Sequence, residues 1–343
     1  MEEKRIIVLQ HPDKTEEVIC SLLGKSKEEL PFKLIVDDQH PDYIFTNEII
    51  YYDRVVNKKF KRMCKTAKIR IFDAGECLDP DLNIFDYALV RNKNLSCGDR
   101  ICVHHYADRM NYKNEITTLD EARKLLSEKN DFCNFIYSNP QGHIRRKELF
   151  DVISKYKQVD SLGKWMRNRN PDTIKYSTQN ELLSDSISMK SCYKFSIACE
   201  NATYNGYTSE KLMTSFRAHT IPIYWGNPTV ADEFNEKAFI NCHKFSSLDE
   251  IVNKIKEIDE NDDLWCEMIA QPWITEEQMN RYITHKKEYH EFFMNVFCQP
   301  INEAVRRGIG FHPDKYAVWF FDRFPFDIKE PARRIKKLRH KNW

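Results

Sequence analysis

Short apolar runs alternating with polar stretches of helical length are what most restrict the folds open to this chain. In the first hundred residues Arg5–Gln10, Lys33–Asp37, Asp42–Thr46, Lys68–Asp73, Asp86–Val90 and Arg100–His105 read as buried strands. Helical segments at Lys14–Leu23 and Val56–Thr66 separate some of them. Strand and helix in alternation predict a mostly parallel sheet with helices on its faces. The charged stretch 107–130 reads as a linker, after which the alternation resumes. Phe132–Tyr137, Lys194–Cys199, Thr220–Trp225 and Ala238–Cys242 are expected strands, and Ile144–Tyr156, Glu210–Arg217 and Leu248–Ile258 expected helices. In Ile144–Tyr156 the apolar Leu149, Phe150, Ile153 and Tyr156 fall at helical spacing. The expected fold class is α/β, with two Rossmann-like domains facing across a ligand cleft and the ligand at the carboxyl ends of the strands. The boundaries read as an N-terminal domain over 1–112, a C-terminal domain over 113–298, and an aromatic and basic tail over 299–343.

Composition excludes several alternatives. With 53 basic and 52 acidic residues the formal net charge is +1, so no global field points to nucleic acid as a partner. A hydrophobic share of 41% is enough for packed cores. The 11 cysteines form no CxxC pair, which fits a reducing compartment better than a disulfide scaffold or a zinc ribbon. The N-terminus has no basic region followed by a long apolar one, and no apolar run reaches membrane-spanning length. The expected location is therefore cytoplasmic. The tail from Pro331 to Trp343 carries six Arg and Lys residues and no acid, and a short basic amphipathic helix there could rest on the inner face of an anionic membrane.

The most unusual stretch runs from Tyr193 to Pro228. A strand ends at Glu200-Asn201, a loop carries Asn205-Gly206, and a helix opens near Thr208-Ser209 with Glu210 and Lys211 in its first turn. The hydroxyl residues can cap the first free amides. A lysine at a helix N-terminus opposes the macrodipole, and makes sense if an anion is held between it and those amides. The pair Arg145-Arg146 opens the helix after another strand, the same topological position. Arginine suits bidentate phosphate contact. For Arg146 the expectation is a surface partner of Glu148 or Asp151. Asp79-Pro80-Asp81 spells a D-x-D that could hold a metal, but such pairs arise by chance in a chain that is 31% charged. Glu76 closes the Lys68–Asp73 strand, where a carboxylate could act as a general base.

Glu200-Asn201, then Gly206 to Leu212, then Ile221 to Pro228 resemble the donor signature of the alpha-1,3-fucosyltransferase family. Residues 138–156 are similar to that family's segment with a phosphate-binding arginine at Arg145, and residues 72–90 resemble the bacterial branch's stretch around a proposed base at Glu76. The matches run from about residue 42 to 270. Ser209, Thr208 and Cys199 depart from the usual Thr, Val and Phe. The resemblance implies a GT-B architecture and inverting transfer of L-fucose from GDP-fucose to an acceptor oligosaccharide or glycolipid, with alpha-1,3 linkage to GlcNAc or glucose of a β-galactoside. No metal or other cofactor is implied. By the same resemblance 1–112 would be the acceptor domain and 113–298 the GDP-fucose-binding domain, in which Arg145 and Lys211 would hold the diphosphate. Asn201, Tyr207 and Glu210 would line the nucleotide and fucose pocket, and Glu76 would deprotonate the acceptor. The alternatives are a GT-B transferase of another nucleotide sugar, or a non-catalytic nucleotide- or glycan-binding protein.

Overall fold

The structure is a computed structural model that describes residues 2–104, 117–170 and 179–323. Residues 107–116 of the expected linker, and the basic tail over 331–343, lie outside the described residues. The chain divides into two compact units, one made of Met1–His104 with Thr284–Trp343, the other of His105–Ile283.

The first unit is built on six parallel strands, β1 (Glu3–Val8), β2 (Lys33–Val36), β3 (Tyr43–Asn47), β4 (Ile69–Asp73), β5 (Tyr87–Val90) and β6 (Ile101–Val103), in the order β2-β1-β3-β4-β5-β6. All six expected strands are present within a few residues. Their side chains alternate between two cores: Ile6 and Val8 enter one cluster, Ile7 and Leu9 the other. A strand buried on both faces has little room for a polar alternate, which is why the inner runs Ile6–Leu9, Tyr43–Phe45 and Tyr87–Val90 are continuously apolar, whereas the edge strand β2 has no fully buried residue. Helices α1 (Thr15–Leu23), α2 (Ile49–Tyr52) and α3 (Arg54–Met63) follow strands of this sheet. Asp53 starts α3 by accepting hydrogen bonds from Val55 N (2.8 Å) and Val56 N (3.0 Å).

In the second unit α4 (Leu119–Ser127) occupies much of the stretch expected to be a linker. Its start is a capping box in which Thr118 and Glu121 exchange bonds with each other's backbone, so the charged surface belongs to a helix. The sheet comprises β7 (Asp131–Phe135), β8 (Val159–Ser161), β9 (Tyr193–Cys199), β10 (Ile221–Trp225) and β11 (Ile240–Asn241), all parallel, in the order β11-β10-β9-β7-β8. Between and after these strands come α5 (Arg145–Ser154), α6 (Gln179–Lys190), α7 (Glu210–Arg217), α8 (Leu248–Asp259) and α9 (Asp262–Ile269). Leu149 and Ile153 of α5, Ile251, Ile255 and Ile258 of α8, and Trp265 of α9 share one core with the strands; Leu212, Met213 and Phe216 of α7 pack in another.

Helix α10 (Glu276–Cys298) crosses from the second unit to the first, and α11 (Phe311–Arg323) follows. Phe293, Val296, Phe297 and Ala304 are fully buried among the strands of the first sheet. The boundary expected at 298/299 is thus not where the chain divides: these four residues, on both sides of it, complete the first unit's core. Among the described residues no helix is long and apolar enough to cross a membrane.

Candidate functional site

The turn between β9 and α7 is organised by a buried carboxylate. Glu200 continues β9 through its N–H to Trp225 O (2.8 Å) and is fully buried. Its Cβ and Cγ lie against Gly226, whose φ is +155°; a Cβ at 226 would fall 2.4 Å from Glu200 Cγ, so both geometry and space demand glycine there. The Glu200 carboxylate accepts the Ser209 N–H at 2.7 Å and its hydroxyl at 2.6 Å, and faces Lys211 Nζ at 3.3 Å. The expected hydroxyl cap is therefore replaced: Ser209 makes no side-chain cap, and Glu200, nine residues earlier, holds the start of α7. A carboxylate with its own buried N–H partners does this more strongly than a serine.

Lys211 also reaches Ser209 Oγ at 2.9 Å and Glu210 Oε1 at 3.1 Å. Burial works to lower its affinity for the proton, but Glu200 and Glu210 prevail and hold the ammonium above the ordinary lysine range. Glu210, despite burial, is held below the ordinary carboxylate range by Lys211 and by backbone bonding. The lysine at the helix N-terminus thus has carboxylate partners of its own.

Asn227 joins the loop to the end of β10. Its Oδ1 accepts from Gly206 N (2.8 Å) and Thr229 N (2.9 Å), its Nδ2 donates to Thr208 Oγ1 (3.1 Å), and its own N–H donates to Tyr224 Oη (3.1 Å). Tyr207, next to Gly206, is buried. Asn227 lies between Gly226 and Pro228 at the end of β10, and that place after a strand is the signal the sequence offers for its role.

The second turn, between β7 and α5, corrects the expectation for Arg146. Arg145 forms the ion pair with Glu148, at 3.1 Å, and is partly exposed. Arg146, expected at the surface, is only 2% exposed. Its Nε donates to Cys199 O at 3.1 Å, its Nη2 to Asn201 Oδ1, and its guanidinium lies 4.4 Å from the centre of the Tyr137 ring. Adjacent helix residues point about 100° apart, so only one of the pair can turn inward. Gly142 leaves room for it, since a Cβ there would lie 2.3 Å from Arg146 Nη1. Backbone bonding ties the two turns together, His143 N donating to Asn201 O at 2.9 Å. The His143 ring lies 4.4 Å from Trp225, and His243 flanks the same indole at 5.8 Å. His243 Nε2 accepts Gly226 N–H at 3.2 Å, and burial pushes its proton affinity below the usual histidine range. Arg145, Arg146, Asn201, Tyr207, Glu210 and Lys211 are accordingly gathered on two adjoining βα turns.

Glu76 belongs to the first unit, exposed in the loop after β4. The preceding Gly75 N–H donates to Glu48 Oε2 at 3.1 Å, and burial raises Glu48 above the usual carboxylate range, with Asp73 and Glu76 adding to the effect. In the D-x-D, Asp81 accepts bonds from Asn83 N (2.9 Å) and the Tyr316 hydroxyl (2.6 Å). Among the described residues no three His, Cys, Asp or Glu side chains are grouped so as to hold a metal ion.

The chain is 32% identical over 234 residues to the alpha-(1,3)-fucosyltransferase FucT of Helicobacter pylori, a match covering 59% of this chain and 46% of that one. To the alpha-(1,3)-fucosyltransferase B of Drosophila melanogaster it is 29% identical over 216 residues, 61% of this chain and 45% of the other. The chain thus spans under half the length of these two relatives. A crystal structure of an alpha1,3-fucosyltransferase with GDP-fucose shares its fold, with a TM-score of 0.58, 23% identity, and coverage of 85% of this chain and 91% of that one. The fold is accordingly of the GT-B type, two α/β units each built on a parallel sheet. The model of glycosyltransferase family 10 (fucosyltransferase), C-terminal part, matches residues 126–309, the stretch that holds both turns and more than half of the 343 residues, and the chain belongs to that family.

Proposed function

We propose that this chain is an inverting glycosyltransferase that moves L-fucose from GDP-fucose to a hydroxyl of an acceptor glycan, in alpha-1,3 linkage to GlcNAc or glucose of a β-galactoside. The observation that carries it is the joining of two βα turns, one bearing the N-terminus of α7 with Lys211, the other Arg145 and Arg146. A helix N-terminus flanked by cations suits phosphate oxygens. Family membership and the GDP-fucose held by the structural neighbour favour a guanosine diphosphate sugar.

In this reading the acceptor oxygen attacks the anomeric carbon opposite the departing GDP. The electron pair of the broken bond leaves on the β-phosphate, where Arg145 and Lys211 stabilise it, and Glu76 takes the acceptor's proton. Asn201, Tyr207 and Glu210 line the donor pocket, and no metal is required. The test is release of the nucleotide leaving group from a panel of nucleotide sugars, with and without a lactose or N-acetyllactosamine acceptor, before and after exhaustive chelation. GDP-fucose should be turned over preferentially and chelation should change little. Glu76→Gln should cut turnover about 10²–10⁴-fold, the usual contribution of a general base, at nearly unchanged GDP affinity. Preference for another nucleotide sugar, or binding without turnover, would reject the activity. The proposed site of action is the cytoplasm, with 331–343 resting on the inner membrane face; failure of the full chain to sediment with anionic vesicles would reject the membrane contact.

A further inference from the structure

We infer that Arg146 is a positioning residue: it fixes the amide of Asn201 so that the Asn201 Nδ2 group, a donor, is the one presented to an oxygen of the donor substrate. The inference rests on the donor site proposed above. An arginine has five N–H donors and no acceptor, so the atom of Asn201 that faces it must be the carbonyl oxygen. Arg146 Nη2 donates to that Oδ1, while Nε is anchored on Cys199 O at 3.1 Å and the guanidinium plane rests 4.4 Å from the Tyr137 ring centre. Tyr137 is itself held at the end of β9, its hydroxyl accepting Cys199 N–H at 2.6 Å and lying 2.9 Å from Ile197 O. The Asn201 backbone is fixed as well, its carbonyl accepting His143 N–H at 2.9 Å. With Oδ1 occupied, the Nδ2 donors remain for a ligand, and Asn201 is exposed while its partner is buried.

Burying a guanidinium carries a cost unless the arrangement around it is well made. Here the contacts are two carbonyl oxygens and an aromatic face, and among the described residues no carboxylate lies within ion-pair distance of Arg146. Arg145 and Lys211, by contrast, have carboxylates at 3.1 Å and 3.3 Å. A donor-rich Asn201 matches a diphosphate or sugar oxygen and mismatches another donor. Lysine cannot replace Arg146, because one ammonium does not reproduce the planar two-point hold on Cys199 O and Asn201 Oδ1.

The test is calorimetric titration of the full chain with GDP, GDP-fucose and guanosine, alongside a melting curve for each variant. Asn201→Asp keeps the oxygen that Arg146 needs and replaces the outward donor by an oxygen. Its affinity should fall at least about tenfold for GDP if the partner is a phosphate oxygen, or for GDP-fucose alone if it is a sugar oxygen without a proton to give, such as the ring oxygen, with guanosine unaffected in either case. Arg146→Met and Arg146→Lys should weaken the same ligands, and Arg146→Met should add nothing in an Asn201→Ala background. Additive effects in that cycle, or parental affinity of Asn201→Asp for GDP and GDP-fucose, would overturn the inference. Should Arg146→Met fail to fold, Arg146→Lys takes its place in the cycle with Asn201→Ala. Lys211→Ala separates the levels: if it weakens GDP binding while Asn201→Asp weakens neither GDP nor GDP-fucose, only the role of Arg146 falls; if neither variant weakens either ligand, the donor site itself falls.

Discussion

Lys190, at the end of α6, carries its ammonium into the interior, where it donates to Thr214 Oγ1 at 2.7 Å and Ser215 Oγ at 3.1 Å on α7. Burial pushes its proton affinity down to about 7; Glu210 and Glu200 oppose this and Lys211 adds to it. The unfolded chain, with an ordinary lysine value of 10.5, binds this proton more tightly than the folded one. Stability from this group therefore rises with pH between about 7 and 10.5, and is lost as pH falls through that window. Lys190→Met, similar in volume and uncharged, should melt higher than the parent at pH 7, with the gap closing towards pH 10. Ser215 Oγ keeps its bond to Lys211 O at 2.8 Å and Thr214 Oγ1 keeps one at 3.2 Å, so the change orphans neither hydroxyl. A gap that did not depend on pH would refute this account. At this scale the motif over 200–228 was legible, because Gly226, Asn227 and Glu200 act within about thirty residues of one another. The orientation of Arg145 and Arg146 was not: both neighbours satisfy a helix start, and only the room beside Gly142 and the carbonyl of Cys199 decide which turns inward.

Among the elements, α7 depends most on a group outside itself. The N–H and hydroxyl of its N-cap residue, Ser209, donate to Glu200, and Glu200 keeps its place because nothing projects from residue 226. Gly226→Ala must displace the Glu200 side chain and also adopt a backbone conformation that alanine avoids. The expected result is a lower melting temperature together with weakened GDP binding; a variant with parental values for both would show that the turn is less tightly built than its geometry implies. The strands of the first sheet were readable because continuous Val, Ile and Phe runs have few other uses. The three-residue β8 was missed, since Asp160 lies buried in it, paired with Arg169 and Tyr193. The expected Ala238–Cys242 strand contracts to two residues, because Asn235 caps a short 3-10 turn over Glu236–Ala238. The capping box of α4 was present in the sequence as Thr118 and Glu121, but the charge around it read as linker.

At the scale of the whole molecule, the C-terminal segment is bound to the first unit by Asp86. This fully buried carboxylate accepts Arg306 N at 2.9 Å and Arg307 N at 3.0 Å through Oδ1, and Arg70 N at 2.8 Å and the Arg307 guanidinium through Oδ2. Asp86→Ala leaves the Arg307 charge and three N–H groups without their acceptor, and should cost about 3–5 kcal/mol of stability in chemical denaturation. A loss below about 1 kcal/mol would mean that water or another group replaces the carboxylate. No local pattern in the sequence announces this tie, because it joins residues more than two hundred apart. It also sets a timetable for synthesis. The six strands of the first sheet leave the ribosome before Phe293, Val296, Phe297 and Ala304 have been made. At ordinary elongation rates roughly 10–40 s separate the last strand from the residues that cover it. Through that interval an apolar sheet face stays wet on the nascent chain, a natural target for a holding chaperone, while residues 105–283 pass through the exit tunnel as an uninterrupted unit.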